Sequence, residues 1–212
     1  MASSLIHICV AKKINEKLNF DKKQLYLGSI APDISKLINE SKIKSHFLIE
    51  EESGVPNLDD FLDKYKNNLN DPFVMGYFIH LYTDKIWWGD FMPNKFLFTK
   101  IRLLDGSLVE LQEKEWLHLL YNDYTNLTTQ LLDYYNLDLS LFYENMEPPK
   151  DIIKEIPMDK LQILIDSAGK IIMNSKEEKT YILDISNIID FINTSAEGFL
   201  KILEEIKNAQ YF

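Results

Sequence analysis

The chain has 212 residues, a mass of 24.9 kDa and a formal net charge of -10 at pH 7. A chain of this length can form one domain with a substantial core and does not need a second. The acidic balance argues against a nucleic-acid-binding surface, because nonspecific affinity for nucleic acids comes mainly from lysine and arginine. No uninterrupted apolar run approaches the roughly 20 residues of a membrane span, which argues against an integral membrane protein.

The N-terminal segment predicts a cytoplasmic protein. Its apolar stretch has no basic segment before it and meets Lys12 and Lys13 almost at once, unlike a secretory signal. The single cysteine, Cys9, cannot form an internal disulfide and lies in an apolar run, so we expect a buried, unreactive thiol. The abundance of lysine, isoleucine and asparagine, with few arginines, is typical of an AT-rich bacterial genome.

Helical patterns begin near the N-terminus. Ser3 or Ser4 can cap a first helix, whose inward-facing stripe begins at His7 and ends at Leu18. The spacing of this stripe points the imidazole of His7 toward the core. We therefore treat His7 as a buried polar residue that needs a partner.

The next segment predicts a short helix followed by an irregular connection. Asp21 can cap this helix, which ends at Gly28. Pro32 disfavours a helical conformation at Ala31, the residue before it. Asp33 is therefore expected on a loop.

Two further caps predict two helices before the middle of the chain. Asn57 begins the first of them, and Asp71 begins the second, with Pro72 at the first helical position. The second helix has a predicted inward face formed by Phe73, Gly76, Tyr77, His80, Asp84 and Trp87.

The second half also reads as helical. Asp105 and Gly106 mark a turn, and Ser107 with Glu110 has the S-x-x-E spacing of a capping box that begins a helix through Trp116 and His118. Further helices are predicted at about 124–135, 159–173 and 184–208, with a long connection at 136–157 and no serious strand candidate. The expectation is an all-α, multi-helix single domain over residues 1–212.

One apolar stretch carries two polar side chains at metal-ligand spacing. In G-Y-F-I-H-L-Y-T-D, residues 76–84, His80 and Asp84 lie four residues apart on one helix face, with β-carbons about 5 to 6 Å apart. Asp33 and His46, in K-S-H-F, can converge on the same ion from other elements, and imidazoles with carboxylates are ligands that zinc accepts. The alternative for each histidine alone is a hydrogen-bonded core residue.

The order of four motifs resembles the zinc-dependent phospholipase C family, which is related to the S1/P1 nucleases. The motifs are S-S-L-I-H-I-C-V-A, G-S-I-A-P-D-I, S-H-F and G-Y-F-I-H-L-Y-T-D, and they cover about the first half of the chain. The resemblance implies an all-helical fold with up to three zinc ions that hydrolyses phosphate esters. It also implies that Asp33, His46, His80 and Asp84 hold one ion, with Asp84 bridging to a second ion bound by His7.

The resemblance implies further ligands that this sequence matches only in part. The second ion of the family takes the free amine of the mature N-terminal residue, which here would be Ala2 after removal of Met1. The third ion takes a histidine and then an H-x-x-x-D/E pair, and the corresponding positions read Asp90, His118 and Asn122. Asp90 can still bind a cation through oxygen, whereas Asn122 is a neutral and weaker ligand.

The resemblance implies a zinc-dependent phosphodiesterase or phosphomonoesterase with two or three ions. A zinc-bound hydroxide would attack phosphorus, and Asp33 would orient or deprotonate the water as well as bind metal. The expected substrate is a phosphate ester, either a small molecule or a phospholipid. The alternative is a non-catalytic metal-binding helical domain that binds a ligand or partner, and the departures at Asp90 and Asn122 keep it open.

Overall fold

The computed structural model, in which residues 2–50, 54–112, 115–144, 147–176 and 178–209 are described, is mostly helical with one small sheet. The predicted helical character is confirmed. Within the described ranges, none of the helices combines the length and apolarity needed to cross a membrane. The α-helices are α1 (Ser4–Leu18), α2 (Lys22–Ile30), α3 (Ile34–Leu37), α4 (Lys42–Ser45), α5 (Leu58–Tyr65), α6 (Pro72–Ile86), α7 (Glu115–Asn126), α8 (Thr128–Tyr134), α9 (Leu161–Met173) and α10 (Ile185–Ala209).

Helix α6 lies at the centre of the fold. The Asp71 side chain accepts hydrogen bonds from the N–H groups of Phe73 and Val74, and Pro72 occupies the first turn, where a missing N–H has no cost. Both predictions for this helix start are confirmed. Every residue from Phe73 to Asp84 is buried, so the predicted single inward face is too narrow. The reason is that α1, α2, α5 and α10 all pack against α6.

Helices α2 and α6 touch backbone to backbone. A β-carbon added at Gly76 would collide with the carbonyl oxygen of Leu25, and one added at Gly28 would collide with the carbonyl oxygen of Phe73. Only glycine at both positions permits this approach. The contact brings the C-terminal end of α2 against the middle of α6, where the candidate metal ligands lie.

Asp33 lies on a helical turn, and the prediction of a loop is wrong. The turn is a 3-10 helix, Ala31–Asp33, which continues directly into α3. Pro32 stands in its first turn, where no N–H donor is needed, and Ala31 has helical angles of φ -59° and ψ -38° despite preceding proline. Helical backbone on both sides therefore fixes the direction of the Asp33 side chain.

A three-stranded antiparallel sheet interrupts the helical pattern in the middle of the chain. Its strands are β1 (Phe96–Leu97), β2 (Lys100–Arg102) and β3 (Leu108–Glu110), in the order β1-β2-β3. Ile101 pairs with Phe96 on one side and with Val109 on the other, and it is fully buried. The expectations of an all-α fold and of no strands are therefore wrong in this segment.

The predicted capping box at Ser107 is a turn instead of a helix start. Asp105 accepts hydrogen bonds from both the N–H and the hydroxyl of Ser107, and Gly106 adopts φ 86°. These contacts reverse the chain, so that Glu110 pairs with β2 rather than capping a helix. The helix that carries His118 begins at Glu115, after two residues outside the described ranges.

Helix α2 ends at Ile30 instead of Gly28, and α3 and α4 were not predicted, whereas the helices after Asn122 agree with the sequence except at one position. The helix expected at 124–135 is divided between α7 and α8 at Leu127, although the helical hydrogen bonds from Leu127 to Asp123 and from Leu131 to Leu127 are kept. Helices α9 and α10 confirm the patterns at 159–173 and 184–208. The connection at 136–157 contains only a short 3-10 turn in its described part.

The buried apolar side chains form one cluster that extends from α1 to α10. Cys9 lies in this cluster, as predicted, and burial raises the pKa of its thiol. Polar side chains are also enclosed by it, although burying a polar or charged group is costly unless it is paired. Most of the predicted metal ligands belong to this enclosed set.

Candidate metal centre

Five of the predicted ligands converge inside the core. They come from four separate parts of the fold, namely α1, the 3-10 turn before α3, the residue after α4, and α6. Only tertiary structure can bring them together, because no two except the pair on α6 are close in sequence. These residues are His7, Asp33, His46, His80 and Asp84, and their exposed fractions range from 0% to 8%.

The ligand atoms form two close groups that share His80, namely Asp33 with His46 and His80, and His7 with His80 and Asp84, and the atoms of each group lie within 4.8 Å of one another. The Nε2 atoms of His46 and His80 lie 3.3 Å apart, and His80 Nε2 lies 3.5 Å from Asp84 Oδ2. His46 Nε2 lies 3.7 Å from Asp33 Oδ1 and 3.8 Å from Asp84 Oδ2. Ligands about 2.0 to 2.1 Å from a tetrahedral zinc ion stand about 3.3 to 3.4 Å from one another. The separations therefore fit one ion with a small contraction of the set.

The tautomer of His80 follows from its hydrogen bond to α2. His80 Nδ1 lies 2.8 Å from the carbonyl oxygen of Ser29, which can only accept a hydrogen bond. Nδ1 must therefore carry the proton, and in the neutral ring Nε2 presents a lone pair toward His46 and Asp84. A backbone carbonyl on the second nitrogen is the usual way in which proteins orient a metal-binding histidine.

A second group of atoms lies on the other side of Asp84. His7 Nε2 is 3.4 Å from Asp84 Oδ1, and the backbone nitrogen of Ala2 donates to the same oxygen at 3.0 Å. The His7 ring stacks on the His80 ring with centroids 3.8 Å apart. The two carboxylate oxygens of Asp84 thus face different neighbours, which is the arrangement that a bridging ligand requires.

Several atoms of the cluster have no hydrogen-bond partner among the described residues. They are both nitrogens of His7, Oδ1 of Asp33 and Oδ2 of Asp84. The imidazole nitrogens nearby lie 3.5 to 3.8 Å from these two oxygens, which is longer than an aligned hydrogen bond. Buried polar atoms are otherwise almost always paired. The donor set therefore fits a bound cation.

The protonation states also favour a cation. Burial, followed by the positive charge of His80, lowers the pKa of His7 to about 4. Burial raises the pKa of Asp33, but the neighbouring His46 and His80 outweigh it and lower this pKa to about 2. Burial likewise opposes ionisation of Asp84, yet His7 and His80 hold its pKa well below the usual range. Both carboxylates are thus ionised and His7 is neutral at pH 7, whereas the pKa of His80 is raised, because Asp84 outweighs the effect of burial, and a metal ion would have to displace a proton from this ring.

The residues proposed for a third ion lie apart from this cluster. Asp90, in a π-helical turn at Trp87–Phe91, is exposed, and His118 is exposed on α7. Asn122 is half-buried, and its amide donates to the carbonyl oxygen of Lys179 at 3.4 Å. Within the described chain, neither Asp90 nor His118 belongs to a group of side chains close enough to share an ion.

The sequence did not single out a second buried aspartate, Asp123. Its carboxylate accepts hydrogen bonds from the backbone N–H groups of Tyr181, Ile182 and Leu183, at 2.6 to 2.8 Å. The partners are about 60 residues away in sequence and are backbone groups, so no local motif marks the contact. Three such donors give Asp123 a structural role in fastening the segment before α10.

Comparisons with known proteins identify no family for this chain. No family model, no curated protein and no solved structure matches it significantly. The function must therefore be inferred from the cluster itself. Three properties are available for this purpose, namely the donor atoms, their burial and their charges.

Proposed function

We propose that the buried cluster binds two zinc ions and that the protein hydrolyses phosphate esters, as the resemblance to the phospholipase C family implies. The observation that carries the proposal is the meeting of three buried imidazoles and two buried carboxylates, in which both His7 nitrogens and one oxygen of each carboxylate lack hydrogen-bond partners. A mixed set of nitrogen and oxygen donors suits zinc, whereas calcium and magnesium prefer oxygen alone. The third position is left out because its residues lie elsewhere.

The two ions would share Asp84. The first would take Asp33 Oδ1, the Nε2 atoms of His46 and His80, and Asp84 Oδ2, all within the distances given above. The second would take His7 Nε2 and Asp84 Oδ1, with the Ala2 nitrogen as a further ligand once Met1 is removed. His80 can serve only the first ion, because Ser29 occupies its other nitrogen.

Asp33 is the residue best placed to act on water. Its side chain is 11% exposed, whereas those of His46, His80 and Asp84 are at most 2% exposed, so it stands on the solvent side of the cluster. A carboxylate with a pKa of about 2 is a weak base but a good hydrogen-bond acceptor. Its proposed role is therefore to orient a water molecule toward phosphorus. Zinc supplies Lewis acidity and lowers the pKa of bound water to about 7.

The substrate proposed is a small phosphate ester or a phospholipid. The net charge of -10 disfavours long polyanions such as nucleic acids. Bound divalent cations reverse the charge locally, so that an isolated phosphate group is still attracted. A non-catalytic metal-binding domain remains the competing function, and turnover distinguishes the two.

Hydrolysis of bis(p-nitrophenyl) phosphate tests the proposal. Zinc-loaded protein is expected to release p-nitrophenol, and the chelator-treated protein is expected to be inactive until zinc is restored. Asp33→Asn should lower kcat by about 100-fold or more, the usual contribution of a positioned acid or base. Asp90→Asn serves as the matched control and should retain full activity. The zinc content of each variant is measured alongside, so that loss of metal is separated from loss of chemistry.

The outcomes of this experiment distinguish the enzyme from the non-catalytic metal-binding domain. Zinc binding without turnover would contradict the enzyme and support the non-catalytic alternative. Absence of zinc in carefully purified protein would contradict both. Equal loss of activity in Asp33→Asn and Asp90→Asn would remove the assignment of Asp33.

A further inference from the structure

Two buried serine hydroxyls connect the segments that carry Asp33 and His46. Ser35 lies on α3, two residues after Asp33, and Ser45 is the last residue of α4, directly before His46. Their exposed fractions are 4% and 1%. The two Oγ atoms lie 2.9 Å apart, and Ser45 Oγ lies 2.9 Å from His46 Nδ1. A continuous chain of hydrogen bonds therefore runs from α3 to the imidazole.

Carbonyl oxygens next to the two hydroxyls favour one direction of this chain. Ser35 can donate its proton to the carbonyl oxygen of Pro32, which lies 3.2 Å from Ser35 Oγ and can only accept. In that arrangement Ser35 Oγ accepts the proton of Ser45. The carbonyl oxygen of Lys42, 3.4 Å from Ser45 Oγ, is a second acceptor for that same proton. With its own proton committed, Ser45 Oγ accepts from His46 Nδ1.

We propose that Ser35 and Ser45 are positioning residues that hold His46 as the Nδ1–H tautomer. The Nε2 lone pair of His46 then faces His80 Nε2 at 3.3 Å and Asp33 Oδ1 at 3.7 Å. Ser29 fixes the same tautomer in His80 through its carbonyl oxygen. Two lone pairs at this separation repel each other unless a shared proton or a metal ion lies between them, so the hydroxyl chain leaves the Nε2 atom of His46 available to an ion.

The same reasoning predicts that only one of the two ions depends on the serine hydroxyls for its affinity. Neither nitrogen of His7 has a hydrogen-bond partner among the described side chains and backbone groups, so no comparable chain orients its ring. Removing the Ser45 hydroxyl should therefore weaken the ion held by Asp33, His46 and His80, and leave the ion at His7 nearly unchanged. The identity of the ion rests on the proposed function, whereas the tautomer is a property of the protein alone.

The tautomer of His46 is tested by side-chain ¹⁵N NMR of metal-free protein at about pH 9. An ordinary imidazole has a pKa of about 6.5 and is neutral at this pH. The wild-type protein should show His46 protonated at Nδ1. Ser45→Ala should give a mixture of tautomers, and Ser45→Thr, which keeps the hydroxyl, should restore one. Thr128→Val is the matched control, because it removes a buried hydroxyl that donates to the carbonyl oxygen of Tyr124 and lies outside the cluster.

Zinc affinity, measured by competition with a chromophoric chelator, provides the second readout. Ser45→Ala should lower the affinity for one zinc ion by about 10- to 100-fold, the usual effect of removing a hydrogen-bond partner of a metal ligand. Ser35→Ala should act in the same direction with a smaller effect, and Thr128→Val should bind both ions normally. An Nε2–H tautomer in wild-type His46, or unchanged tautomer and affinity in Ser45→Ala, would overturn the proposal. Wild-type protein with the expected tautomer but no zinc affinity would overturn the proposed function and leave the hydroxyl chain established.

Discussion

Two buried aspartates in this protein have opposite surroundings. Asp123 accepts three backbone N–H groups and leaves neither oxygen without a donor. Asp84 receives one backbone N–H, from Ala2, and is otherwise surrounded by the imidazoles of His7, His46 and His80. Both side chains are fully enclosed. Burial therefore does not separate a structural carboxylate from a functional one, whereas the chemistry of the partners does.

Asp84→Asn should have the largest effect on metal binding. The amide cannot bridge two cations, so zinc affinity should fall by about 100-fold or more at both ions. Asp84 raises the pKa of His80, and removing one partner of a buried charged pair destabilises a protein. Denaturant titrations of metal-free protein should therefore show a loss of stability as well, so zinc affinity is the measurement that separates Asp84 from Asp123. A large loss of stability without loss of zinc would place Asp84 in the same class as Asp123.

Gly76→Ala should have the largest effect on the fold, because it separates α2 from the helix that carries Asp84. The new methyl group would meet the backbone of Leu25 and Ser29, which cannot move aside like a side chain. Overpacking of this kind costs about 1 to 3 kcal/mol or more. Gly89→Ala is the control, since nothing lies within 4 Å of its β-carbon position. Equal thermal stability of the two variants would contradict the close contact of α2 with α6.

Asp123→Asn should lower the stability of the protein but not its affinity for zinc. One backbone N–H would face the amide nitrogen instead of an oxygen, and an unsatisfied buried donor costs about 1 to 3 kcal/mol. The folded variant should bind zinc as the wild type does, because Asp123 lies outside the cluster. Denaturant titration and zinc competition on the same preparation check both parts, and a loss of zinc from folded protein would contradict the structural assignment.

The pH dependence of the unfolding free energy should show the titration of His7, which faces Asp84 from α1. The pKa of His7 falls from 6.5 to about 4 on folding, so the unfolded chain binds more protons between these values and metal-free protein loses stability as the pH drops through this window. The lowered pKa of His46 adds to this slope, whereas the raised pKa of His80 acts in the opposite direction and only above about pH 6.5. His7→Gln should make this slope shallower in denaturant titrations, and an unchanged slope would contradict a neutral His7.

The first half of the chain was predictable because its signals are local. Asp71 and Asn57 cap their helices as their sequence positions indicate, and the spacing of His80 and Asp84 follows from helix geometry alone. Asp33 was placed on a loop because Pro32 usually ends a helix. The 3-10 turn found there depends on packing against neighbouring elements, which no local pattern contains.

The second half was less predictable because its contacts are distant. The S-x-x-E spacing at Ser107 satisfies a helix-cap pattern, yet the hydrogen bonds to Asp105 and the pairing with β2 decide the structure. The positions of Asp90 and His118 depend on the π-helical turn after α6 and on where α7 begins. No sequence pattern marks either feature. This explains why the residues expected to hold a third ion are not close together among the described residues.

The zinc content of protein purified without chelators tests the central claim most directly. We predict about two equivalents per chain in the wild type and in Asp123→Asn, and loss of both in Asp84→Asn. Absence of zinc from the wild type, or equal zinc content in the two aspartate variants, would contradict a zinc centre built on Asp84.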